Sequence, residues 1–110
     1  MYVAGYFIGT SVDFDPGSGV DLHSSFGNTD DIYLSKFDSS GTFVWAHTWG
    51  GDGEDKGNGV AVNGSGTAYV TGYFTGTSID FDPDPIEVDS HSSNGGYDIF
   101  LSKFLPDGSW

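Results

Sequence analysis

Along the chain, short runs dense in aromatic and β-branched residues alternate with runs of Gly, Ser, Asp and Pro. The apolar runs are YVAGYFI (2–8), DIYLSKF (31–37), TFVWAHTW (42–49), GVAVN (59–63), AYVTGYFT (68–75) and YDIFLSKF (97–104). That composition and length predict β-strands. Turn signals separate them: DSSG at 38–41, NGSG at 63–66 and PDG at 106–108. No window carries apolar residues at helical spacing, and 18 Gly weigh further against helices. Several strands, YVAGYF among them, carry apolar or small residues on both faces, the pattern of a strand covered on both sides. The expected fold is all-β, with antiparallel blade-like sheets of the kind that stack in a propeller. A β-sandwich with exchanged strands is the alternative.

The runs repeat. Tyr2–Phe43 aligns with Tyr69–Trp110 at an offset of 67, and 20 of the 42 pairs are identical. The shared text includes YV.GYF.GTS.DFDP and DI.LSKF. The offset slips by one between these blocks and then recovers, as a surface loop drifts between fixed strands. A long period in fewer than two copies points to a piece of a repeat array.

The segment WGGDGEDKGNGVAVNGSGTAYVTGYF (49–74), followed by YDIFLSKFLPDGSW, resembles the SBBP-type bacterial β-propeller repeat. The resemblance rests on the order GVAV, a Gly-containing turn, YVTG, DIFLSKF, a turn and a Trp-containing strand. It implies four-stranded blades, a secreted or surface-attached bacterial protein and no catalytic activity. The chain departs from the short form of the repeat by an acidic insertion between the second and third strands of each blade. With blade strands labelled A (GVAV), B (YVTGYF), C (DIFLSKF) and D (FVWAHTW), residues 1–49 form a first partial blade, B–C–D, with an acidic loop at 9–30. Residues 50–110 form a second, A–B–C, with an acidic loop at 76–96. Continuing the 67-residue period past Trp110 needs a further 25 residues, the equivalents of Val44–Ala68. The expectation is therefore a longer polypeptide, or missing strands supplied by adjacent repeats or other copies through β-strand addition. Strand addition between different surfaces gives a ring or a filament.

Composition narrows the partners. Sixteen acids against three Lys and no Arg give a formal charge of −13. That disfavours nucleic acid and anionic membrane surfaces. Aromatics at 16% argue against acidic disorder. The absence of Cys removes disulfides and thiolate metal sites. No apolar run approaches a membrane span, and the opening MYVAGYF lacks a basic region followed by an apolar core. A secreted protein would carry its signal upstream of this sequence.

The acidic loops are the candidate chemistry. Asp13, Asp15 and Asp21 recur as Asp80, Asp82 and Asp89, with Asp84 added in a D-x-D-x-D row. Calcium takes about six to eight oxygen ligands, which alternating Asp and backbone carbonyls supply, so these seven residues are the expected Ca²⁺ ligands. Against that stands turn chemistry, with Asp capping local N–H groups and Phe14 and Phe81 plugging each loop onto its sheet. GGDGED (50–55) matches the opening of an RTX calcium repeat, but only once; a Gly-rich connection between blades fits better. His23 and His91 recur with the loops, and His47 sits between Trp45 and Trp49 on a D strand. Lys36 and Lys103 occupy equivalent C-strand positions, either lying along the blade or paired with an acidic loop. Asn63-Gly64-Ser65 fits a glycosylation sequon, and a glycan is the further partner this suggests. No nucleophile elbow, H-E-x-x-H or phosphate-binding loop is present. The expected function is a non-catalytic structural module of an extracellular or cell-surface assembly. A module binding protein or glycan is the rival, and a glycosidase using paired carboxylates the remote one.

Overall fold

A computed structural model describes all 110 residues. The chain is all-β, with ten strands and no helix: β1 (Tyr2–Phe7), β2 (Val12–Asp13), β3 (Leu22–His23), β4 (Asp31–Phe37), β5 (Phe43–Trp49), β6 (Lys56–Val62), β7 (Ala68–Phe74), β8 (Ile79–Asp80), β9 (Ser90–His91) and β10 (Asp98–Phe104). The six apolar runs of the sequence are the six long strands. Two three-stranded antiparallel sheets result, ordered β1-β4-β5 and β10-β7-β6.

Two details were not legible in the runs. Each acidic loop contains its own two-stranded ladder, β2 with β3 and β8 with β9. Strand β6 also begins three residues before GVAVN, at Lys56. Its register shifts between Gly57 and Gly59, leaving Asn58 out of the pairing with β7. A Gly-rich bulged strand carries too few side chains to read as one.

The glycines have a packing reason. A Cβ on Gly57 would lie 2.8 Å from the Gly5 carbonyl oxygen and 3.1 Å from an Ile32 methyl. Strand β6 therefore runs against β1 at glycine distance. Away from that contact the space between the sheets holds Trp49 from β5 with Phe100 and Phe104 from β10, at centroid distances of 6.3 and 5.1 Å. The two sheets form a wedge, thin where glycine meets glycine and thick where aromatic rings meet.

The core lies inside that wedge. The first sheet contributes Ile32, Leu34 and Trp49, flanked by Tyr2, Ala4 and Trp45. The second contributes Ala68, Val70, Phe74, Phe100 and Phe104, flanked by Val60. Residues alternate across a strand, so the odd-numbered face of β1 and β4, with Val3, Phe7, Tyr33 and Phe37, points away from the second sheet. Under the 67-residue repeat its equivalents in the second sheet are Val70, Phe74, Phe100 and Phe104, which point inward. The sheets are therefore stacked in the same sense, with one face of the second resting on the opposite face of the first.

Candidate functional site

Both acidic loops are built the same way. Gly9 and Gly76 enter with φ of 144° and 135°, and Ser11 and Ser78 follow in the left-handed region at 54° and 57°. Ser25 Oγ accepts from the Gly9 amide at 3.1 Å, and Ser93 Oγ from the Gly76 amide at 3.0 Å. These serines are what hold the strained entry in place.

The aspartates then organise the tip. Asp13 Oδ1 accepts from the amides of Asp15 and Asp21 at 3.1 and 2.9 Å. Asp80 Oδ1 repeats this with Asp82 and Asp89 at the same two distances. Asp15 accepts from the Gly17 amide at 2.7 Å. Asp82 accepts from Asp84, and Asp84 from Ile86, each at 2.9 Å. The bonds to the amide two residues on are Asx turns, while those from Asp21 and Asp89 close each loop across its tip. Asp21 and Asp89 bond His23 and His91 at 3.2 and 2.9 Å. The structure thus brings Asp13, Asp15 and Asp21 into one loop tip, and Asp80, Asp82, Asp84 and Asp89 into the other. It gathers no three side chains around a point where one cation could sit.

Phe14 sits on Phe7 and Tyr33 at 5.0 and 5.2 Å, and Phe81 sits on Phe74 and Phe100 at 4.9 and 5.4 Å. The plugging role holds in both copies. Phe81 is buried within the wedge, whereas Phe14 is half-exposed on the outer face.

His23 Nδ1 also lies 3.0 Å from Thr48 Oγ1, which places Asp, His and Thr in a row. The Asp–His pair recurs at Asp89–His91, where His91 packs edge-on against Phe81 of the same loop at 5.7 Å. That duplication makes the pair part of the loop's construction. His47 packs on Trp45 at 4.8 Å and on Phe104 at 5.9 Å, and burial pushes its pKa down.

Two buried acids escaped the sequence reading. Asp55, the last residue of GGDGED, is fully buried and accepts from the amides of Gly51 at 2.7 Å and Thr75 at 3.2 Å. It pins the connection between the sheets to the end of β7. Asp31 accepts from the Phe26 amide at 2.9 Å through one oxygen; its other oxygen, beside Gly50, is buried without a partner. Desolvation pushes Asp31 up to about 7 and Asp55 up to about 6, and the charge of Asp55 adds to the rise at Asp31. The only sequence signal was the glycine context, which leaves room for a carboxylate but does not show that it is buried.

The lysines divide differently from expectation. Lys36 Nζ donates to the Pro106 carbonyl and lies over the Tyr2 ring at 5.7 Å, while Lys103 is exposed. The pairing with an acidic loop is made by Lys56, 3.0 Å from Asp30 and over the Tyr6 ring at 4.6 Å. Asn63 of the sequon is exposed on its turn, and its side-chain oxygen accepts from the amides of Ser65 and Thr67, each at 3.0 Å. Comparison with family models, curated proteins and solved structures finds no match for the chain.

Proposed function

We propose that the chain is a non-catalytic structural repeat module, part of an extracellular or cell-surface array of stacked β-blades. One observation carries this reading. Two copies of one repeat stack in the same sense, face upon opposite face, in a wedge. Such stacking does not close on itself after two members, whereas two sheets packed with like faces together would form a finished sandwich. The sheet orders β1-β4-β5 and β10-β7-β6 also leave β1, β5, β6 and β10 with one side outside any ladder. Edges of this kind recruit further strands. The secreted location follows from the family resemblance alone.

The acidic loops serve this role as rigid, charged rims, each fixed by its own amide-to-carboxylate bonds and its Phe plug. Calcium is a proposal the loops do not require, because the inner oxygens already hold amides. The module reading is tested by native mass and by hydrogen exchange as concentration rises. Assembly with protection of β1 and β10 edge amides is expected. A stable 11.7 kDa monomer at every concentration overturns it.

A further inference from the structure

The second sheet exposes the same side chains that the first sheet buries. Ile32 and Leu34 on β4 are both 0% exposed, while their equivalents on β10, Ile99 and Leu101, are 88% and 71% exposed. Tyr69 and Tyr73 on β7 lie on the same face as these two, by the register that pairs Tyr69 with Lys103 and Tyr73 with Ile99. An exposed strand reading I-x-L beside two half-buried tyrosines, with Thr71 and Lys103 on the same face, is a largely apolar patch of the kind that marks an interface.

The molecule itself shows what covers such a face. Ile32 and Leu34 are covered by a sheet presenting Val70, Phe74, Phe100 and Phe104, with Phe81 added from its acidic loop. The outer face of the first sheet presents the same set at the same registers: Val3, Phe7, Tyr33 and Phe37, with Phe14 from its loop. Four of these five positions are identical to their equivalents, and the fifth exchanges Phe for Tyr. Those residues stand half-buried or exposed, with no sheet resting on them. One face awaiting a cover and one cover without a face thus lie at opposite ends of a single chain.

We infer that the exposed β10–β7 face around Ile99 and Leu101 docks the outer β1–β4 face of the first sheet of a second copy of this chain, using the strands the two sheets share; the β6–β1 and Trp49 contacts of the internal interface have no counterpart there. This rests on the stacked-module reading and specifies its interface. The contact joins different surfaces, so it propagates: a dimer retains a free face at each end, and growth ends only in a ring or a filament. The charge of −13 opposes association, so raising salt strengthens it.

The test uses two capping variants. Leu101→Glu places a charge on the receiving face, and Val3→Glu places one on the covering face. Both positions are exposed, so the folded chain tolerates them. Sedimentation velocity across concentration at physiological salt is expected to show open-ended association for the unaltered chain and at least a tenfold weaker association for either variant alone. Mixing the two variants is expected to restore a one-to-one dimer and nothing larger, because each supplies the face the other lacks. Assembly that persists in both variants overturns the face contact while leaving the module reading in place through its edges. A chain that stays monomeric throughout overturns both. A symmetric dimer abolished by Leu101→Glu and untouched by Val3→Glu also overturns the head-to-tail contact. Circular dichroism melts of each variant matching the unaltered chain exclude loss of fold as the cause.

Discussion

Strands β4 and β10 carry nearly the same text, DIYLSKF and DIFLSKF, and meet opposite fates. On β4 the even-numbered side chains Ile32 and Leu34 are sealed against the second sheet. On β10 their equivalents Ile99 and Leu101 stand in water, and Phe100 and Phe104 are buried instead. Local sequence gives each strand two apolar faces. Which face is buried follows from where the single neighbouring sheet lies, and that differs between first and second in a stack. Stability in this protein is therefore a property of stacking order as much as of residue type.

The sharpest way to break the comparison is at the aromatic plugs. Phe81→Ala empties a buried site between three rings and is expected to cost about 3–5 kcal/mol. Phe14→Ala, on the outer face, is expected to cost less than half as much. Chemical denaturation of both variants, with m-values compared, checks the ratio. Equal losses would mean that the outer loop of the first sheet is also covered.

The aliphatic pair comes next. Leu34→Ala is expected to destabilise by about 2–4 kcal/mol, within the range for buried Leu. Leu101→Ala is expected to stay within about 0.5 kcal/mol in the monomer, as exposed substitutions do. Thermal melts at low concentration read the difference, since about 1 kcal/mol moves the midpoint of a domain this size by roughly 4–8 °C. A large loss at Leu101 that appears only at high concentration would sharpen the comparison by revealing the covering copy.

The acids at the heads of these strands give a third, smaller contrast. Asp31 is buried, whereas Asp98 is half-exposed and accepts from the Asn94 amide at 3.0 Å. Because the folded pKa of Asp31 is raised from 3.8 to about 7, the folded state holds its proton more tightly than the unfolded chain. The stability linked to that proton is present below pH ~4 and lost as pH rises through about 7. Asp55, raised to about 6, acts in the same direction. Asp31→Asn, which keeps an acceptor for the Phe26 amide, is expected to be more stabilising at pH 8 than at pH 5, relative to the unaltered chain. Melts at both pH values measure it. A variant whose effect does not change with pH would mean that Asp31 is solvated.

The smallest expected effect is that of calcium. Both loops hold their tips with Asx turns and Asp–His pairs, so saturating Ca²⁺ or a chelator is expected to leave the melting midpoint within about 1 °C, a shift too small for appreciable native-state binding. A rise of several degrees, lost in Asp80→Asn, would assign the second loop to a cation.

The sequence by itself determined the six long strands and the duplication. Six short runs rich in aromatic and β-branched residues, separated by Asp, Gly and Pro turns and lacking helical spacing, read as strands. It also showed that Gly9, Ser11, Asp13 and Ser25 recur as Gly76, Ser78, Asp80 and Ser93, whose matching bonds the tertiary structure then revealed. The burial of Asp31 and Asp55, the close approach of Gly5 to Gly57 and the exposure of Ile99 were decided only by the tertiary structure. All three depend on contacts between residues distant along the chain, whose desolvation and steric fit arise only when one sheet is laid on the other.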